Sequence, residues 1–199
     1  SVSLNTERHD TSVVIRNLDL TIADKVVFSG ANFNFDLGEK ILLVGKSGSG
    51  KSSLLNAIMG LIPINGAIIT LNGKPVSNLE MYRFAYVPQK VPLISGSIVE
   101  NVTFNFENTQ IAAKKMQIIS EMCGLHNLVE HGGRELQIDD RGSNLSSGQI
   151  QRIGIARALY SEPDILILDE ATNSLDLASE QEILAKVFQY MDTKTIIVI

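Results

Sequence analysis

Gly45-Lys46-Ser47-Gly48-Ser49-Gly50-Lys51-Ser52 fits G-x-x-x-x-G-K-[ST], the pattern of a phosphate-binding loop. Its flanks suit that reading. Ile41-Leu42-Leu43-Val44 is a short apolar run of the kind that makes a buried parallel strand, and Ser52 to Met59 is helix-competent and stops at Gly60. Glycines let backbone N–H groups turn inward on a polyphosphate, and the helix start adds its partial positive charge. Lys51 is then expected to reach the β- and γ-phosphates, and the Ser52 hydroxyl to hold Mg²⁺. The candidate nucleotide-contacting set is therefore Gly45, Lys46, Ser47, Gly48, Ser49, Gly50, Lys51, Ser52 and Ser53.

Working outward, the first twelve residues are polar, lack an apolar period and read as a linker or tail. Val13-Val14-Ile15 opens a strand-like region, and Asn32 to Leu37 alternates polar with apolar, as a half-buried strand does. Ala67 to Leu71 predicts another strand, closed by the turn pair Asn72-Gly73. Phe84 to Val87 predicts a strand ended by Pro88. Farther on, Asn108 or Thr109 is expected to cap a helix through about Met122, Gly132-Gly133 breaks the chain, and a helix is predicted over Ser147–Tyr160. Ile165-Leu166-Ile167-Leu168 is continuously apolar, as a central parallel strand is. Ala178 to Met191 has helical apolar spacing, and Thr195 to Ile199 reads as a last strand.

The bulk properties set limits. A chain of 199 residues, 44% hydrophobic and 20% charged, suits one globular domain with an inserted lobe. A net charge of −5 leaves no polybasic footprint, so nucleic acid is not the expected partner. The single cysteine, Cys123, rules out an internal disulfide and reads as a packing residue. No apolar run approaches the ~20 residues a membrane helix needs.

Two further stretches carry chemistry. Asp169 and Glu170 follow the apolar run and should emerge at the C-terminal end of its strand, the edge where open parallel sheets bind ligands. Asp169 is placed to hold the magnesium shell, and Glu170 to polarise an attacking water. The second stretch is Leu145-Ser146-Ser147-Gly148-Gln149, running into Gln151-Arg152 and the helix beyond. It resembles the L-S-G-G-Q signature of ATP-binding cassette (ABC) ATPases, with Ser147 replacing the first of its two glycines.

The resemblance covers nearly the whole chain. Tyr86-Val87-Pro88-Gln89 matches the Q-loop, Ile165 to Glu170 the Walker B strand, and Ala171-Thr172-Asn173-Ser174-Leu175-Asp176 the D-loop. Pro92 to Asn101 looks like the segment that faces the membrane domain in ABC exporters. The resemblance implies an α/β phosphate-loop core with a mainly parallel sheet, an antiparallel β edge subdomain and an inserted helical subdomain. The core with its β subdomain would take residues 13–88 and 158–199, and the helical part 89–157. It also implies an ATP-hydrolysing domain at the cytoplasmic face of a membrane, coupled to a transmembrane domain. Two such domains would form a head-to-tail dimer around two MgATP, with Ser146, Gly148 and Gln149 completing the partner's site. Gln89 would sense magnesium and water, making Glu170, Gln89 and Lys51 the catalytic set and Ser52, Gln89 and Asp169 the metal set.

Two departures stand out. No Phe, Tyr or Trp precedes Phe28, so adenine is expected to meet only an apolar contact from Ile22 or a neighbour. The family's switch histidine lies just past the strand that here ends at Ile199, while His9, His126 and His131 lie elsewhere. The chain thus reads as cut just before that histidine, with impaired turnover. Two other readings stand beside the exporter. One is a regulatory module that binds nucleotide without hydrolysing it, favoured by the missing histidine and disfavoured by Glu170. The other is an ABC-type ATPase acting on nucleic acid, disfavoured because Gly45 and Leu145 are only 100 positions apart, too few for a long coiled-coil insertion.

Overall fold

The computed structural model describes residues 11–199 apart from 23, 47, 64–65, 77–78, 80, 105–109, 131–136 and 140–141. His9, His131, the caps expected at Asn108 or Thr109, and Gly132-Gly133 lie outside the described residues. In chain order the elements are β1 (Ser12–Ile22), β2 (Lys25–Asp36), β3 (Lys40–Leu42), α1 (Lys51–Ile58), β4 (Ile68–Leu71), β5 (Lys74–Val76), β6 (Phe84–Val87) and α2 (Ile98–Thr103). They continue with α3 (Gln110–Met122), α4 (His126–Glu130), α5 (Ser147–Tyr160), β7 (Ile165–Leu168), α6 (Leu177–Tyr190) and β8 (Thr195–Val198). Two compact units divide the chain: Ser1–Glu39 with Gly45–Met81, and Lys40–Val44 with Tyr82–Ile199.

The first unit holds an antiparallel sheet in the order β2-β1-β4-β5 together with α1. In β1 the buried residues are Val13, Ile15, Leu18 and Leu20. A strict two-residue alternation would break between Ile15 and Leu18. A register shift against β2 falls there, with Asn17 at φ 54°, and the extra residue returns Leu18 and Leu20 to the buried face. The Asn32 to Leu37 alternation appears as half-buried Phe33 and Phe35 between exposed Asn32 and Asn34. The β4–β5 turn is Asn72-Gly73, both in the left-handed region, as a two-residue hairpin requires. Asn72 also ties β1 in, since its Oδ1 accepts from Ser12 N at 2.9 Å.

The second unit holds a parallel sheet in the order β3-β8-β7-β6. All four residues of β7 are buried, as expected of a central strand covered on both faces. α5 packs against α2, α3 and β6, and Gln151, Ile153, Gly154, Ile155, Ala156, Ala158 and Leu159 are buried on it. A helix buried on so many sides is a core element, which explains why its apolar residues show little one-sided pattern. Cys123 is fully buried in this core, and burial pushes its thiol up to about 12, so it stays an inert packing group. Lys40, at the start of β3, donates its ammonium to the carbonyls of Met191, Asp192 and Lys194 at 2.8 to 2.9 Å. That pairs a positive charge with the C-terminal end of α6.

The α/β class, the mainly parallel sheet and the antiparallel sheet agree with the sequence reading. Helix α5 and strand β7 begin and end where the sequence placed them, and the last strand pairs parallel to β7. The pattern missed α2 and α4, both short, and it read Ile41–Val44 as a buried strand, whereas β3 stops at Leu42 on the sheet edge, with Leu42 and Val44 exposed. α2 did carry a legible signal: Ser97 and Glu100 form a reciprocal capping box, the S-x-x-E pattern.

Candidate active site

The loop from Gly45 to Gly50 leads straight into α1. Gly48 and Gly50 hold φ of 75° and 94°, a region open to glycine. Gly50 is needed for a second reason: a Cβ there would stand 2.5 Å from Val27 Cγ1 and 3.0 Å from Phe28 Cζ. The loop closes on itself through Ser49 N donating to Lys46 O at 3.1 Å. Lys51 Nζ arches back to Gly45 O at 2.9 Å and Lys46 O at 3.2 Å, which sets a cation over the loop. α1 has no side-chain cap and no acidic residue in its first turn, so its amide end remains positive and suited to an anion. Ser52 and Ser53 lie in that first turn; Ser47 lies outside the described residues. Ile22 ends β1, 38% exposed, while the apolar side chains beside Gly50 are those of Val27 and Phe28.

The carboxylates belong to the parallel-sheet unit. β6 and β7 pair in parallel with Tyr86 opposite Ile167 and Val87 opposite Leu168. That register brings the residues after each strand to the same edge. Asp169 is buried, and Tyr86 Oη donates to its Oδ2 at 2.7 Å. Burial first, and the Asp169 hydrogen bond second, push the Tyr86 hydroxyl above its ordinary range, so it remains a proton donor. Glu170 follows at φ 50°, a strained conformation for a residue with a Cβ. Its Oε2 accepts from Gln89 Nε2 at 2.7 Å and from Asn173 Nδ2 at 3.1 Å. Gln89 and Glu170, separately picked out in the sequence, are thus in direct contact. Asn173 and Tyr86 lie inside the D-loop and Q-loop motifs, yet nothing local in the sequence marks them as partners of carboxylates.

The signature stretch starts α5. Ser146 caps it: Gln149 N donates to Ser146 Oγ at 3.2 Å, and Ser146 N donates to Gln149 Oε1 at 2.8 Å. Gly148 packs close to the D-loop, since a Cβ there would meet Leu175 Cδ2 at 3.3 Å and Ser174 O at 3.5 Å. Buried Gln151 makes the same link by accepting from Ser174 N at 3.0 Å. The signature and the segment after Glu170 are therefore one mechanical piece. His126 is exposed at the start of α4, as expected of a surface residue.

Among the described residues no three His, Cys, Asp or Glu side chains form a metal cage. Magnesium at a nucleotide site needs none, because it takes one or two protein oxygens and completes its shell with phosphates and water. The parallel-sheet unit has a buried carboxylate of that kind in Asp169.

Comparison with known proteins finds a family and relatives for the chain. The family described as ABC transporter matches residues 28–173. An ATP-dependent lipid A-core flippase of Vibrio parahaemolyticus is 32% identical over 208 residues, covering 97% of this chain and 34% of that protein. An uncharacterized ABC transporter ATP-binding protein, YfiB of Bacillus subtilis, is 37% identical over 183 residues, covering 87% of this chain and 31% of that protein. Among solved structures, a bacterial Atm1-family ABC exporter with ATP bound superposes with a TM-score of 0.83 at 25% identity, over 96% of this chain and 34% of that one. The chain spans about a third of the length of these relatives.

Proposed function

This chain belongs to the ABC transporter family, and on that premise we propose that it is the ATP-hydrolysing domain of a membrane exporter. The observation that carries the proposal is the Glu170 carboxylate at the end of β7, held by Gln89 at 2.7 Å beside the buried Asp169. A domain that only bound nucleotide would have no use for a carboxylate so fixed. In this reading the amides of Gly45 to Ser53, with Lys51, take the polyphosphate, and Ile22 or its neighbours Val27 and Phe28 give adenine an apolar contact. Ser52, Gln89 and Asp169 would hold Mg²⁺, which would neutralise charge on the phosphates. Glu170 accepts a proton from the attacking water and aims it at the γ-phosphate.

Ser146, Gly148 and Gln149 open a helix of 14 residues and would complete the nucleotide site of a second such domain, head to tail. The other partner is a transmembrane domain, which this chain would meet at the cytoplasmic face of the membrane; no described helix of this chain is long and apolar enough to cross one. A groove of about 260 Å³ lined by Phe84, Tyr86, Phe104, Arg157 and Tyr160, among others, supports such docking. Arg157 lies 4.3 Å from the Phe104 ring centre and donates Nε to Asn101 O. Its buried Nη2 has no partner among the described residues, so a docked segment bearing an oxygen would satisfy it. The helical part, 89–157, would then carry the signature contact and share the groove with the ATP-binding core, 13–88 and 158–199.

The test is Glu170→Gln. It should keep MgATP binding, lower hydrolysis by at least about 100-fold and trap an ATP-dependent dimer visible in sedimentation. Unchanged turnover in the variant would refute the assignment.

A further inference from the structure

We propose that Asn173 is a positioning residue for the Glu170 carboxylate, acting together with Gln89. The proposal rests on the reading of Glu170 as the group that polarises water. The backbone makes the contact: Asn173 N donates to Glu170 O at 3.3 Å, closing a turn that brings the residue-173 side chain back over residue 170. Its amide Nδ2 then reaches Glu170 Oε2 at 3.1 Å, the same oxygen that Gln89 Nε2 reaches at 2.7 Å. The two donors come from different elements, one following β6 and one following β7.

The last torsion of a glutamate is broad and roughly two-fold, so a single donor leaves the carboxylate plane free to rock. Two donors converging on one oxygen fix both the plane and which oxygen is engaged. They leave Oε1 as the acceptor directed at a water. A carboxylate aimed this way acts on its nucleophile without first reorganising. The φ of 50° at Glu170 adds to the need, because a strained backbone persists only where its surroundings hold it. Gln89 would also be drawn toward bound magnesium, whereas Asn173 Nδ2 pairs with Glu170 alone among the described residues, which makes it the constant donor of the pair. The amide matters as well: an isosteric aspartate would face Oε2 with an acceptor and a like charge.

The complete gene product carries the test, with MgATP affinity and steady-state hydrolysis measured for wild type, Glu170→Gln, Asn173→Asp, Asn173→Ala and Asn173→Ser. Wild-type turnover that Glu170→Gln removes establishes the underlying reading. Given that, Asn173→Asp is expected to lower kcat about 100-fold and Asn173→Ala about 10-fold, the range for a lost hydrogen bond to a charged group. KM and nucleotide Kd should stay within about 2-fold of wild type, since the interaction is needed for aiming rather than binding. Asn173→Ser keeps a donor and should recover most of the loss. Wild-type kcat in Asn173→Asp overturns the proposal. So does a fall in kcat matched by an equal loss of nucleotide affinity and melting temperature in Asn173→Ala, the sign of a purely structural role. No turnover in wild type, or full turnover in Glu170→Gln, overturns the reading of Glu170 and this inference with it.

Discussion

Asp164 fastens one end of the parallel sheet, and Asp164→Asn should cost a stability whose size and pH window follow from its contacts. Its Oδ1 receives Lys194 Nζ at 2.6 Å, and its Oδ2 receives Arg83 N at 3.0 Å. Arg83 precedes β6 and Lys194 precedes β8, so one carboxylate ties the entries to two strands on either side of β7. The Lys194 hydrogen bond, most of all, holds the Asp164 carboxyl at about 2 against an ordinary 3.8. At 1.36 kcal/mol per pH unit that is at most about 2.4 kcal/mol. The Asp164 side chain is 26% exposed and that of Lys194 42%, so solvent screening reduces it to about 1 kcal/mol. A carboxyl whose folded pKa is depressed stabilises the fold above its unfolded value and loses that contribution as pH falls through the folded one. The gap between wild type and Asp164→Asn should therefore be about 1 kcal/mol from pH 7 down to about pH 5. It should shrink below about 3.8 and vanish near pH 2. Urea titrations followed by circular dichroism at closely spaced pH values measure it. Equal midpoints at pH 7, or a gap that persists below pH 2, would refute the reasoning.

Asn101 is fully buried and satisfies both backbone groups of Ile94, accepting from its N at 2.9 Å and donating to its O at 2.8 Å; Asn101→Ala should cost about 2–4 kcal/mol, read as a lowered urea midpoint. At Gly154, inside α5, a Cβ would stand 2.5 Å from Val91 Cγ2. Better helix propensity returns about 1 kcal/mol, but a β-branched neighbour cannot swing aside and overpacking costs about 1–3 kcal/mol, so Gly154→Ala should lower the melting temperature. Saturating MgATP at about 100 times its Kd should stabilise the protein by about 2.7 kcal/mol, and Lys51→Ala should remove most of that thermal shift.

The sequence by itself determined whatever near neighbours encode. The glycines at 48 and 50, the Asn72-Gly73 turn, the Ile165–Leu168 run and the Ser146–Gln149 helix start all carry their conformational demands within a few residues. They are found in the structure where the letters put them. What only the tertiary structure decided are the pairings between distant residues. Tyr86 meets Asp169 and Gln89 meets Glu170 across 83 and 81 positions of sequence. Those contacts exist because the parallel register of β6 on β7 carries both strand ends to one edge, and no local pattern fixes that register. Likewise Gln151 on Ser174, and Lys40 on the end of α6, are products of packing. Asn173 lies between. The motif around it was legible, but its grip on Glu170 depends on a left-handed turn at residue 170. A glutamate adopts that turn only where the surrounding fold compels it.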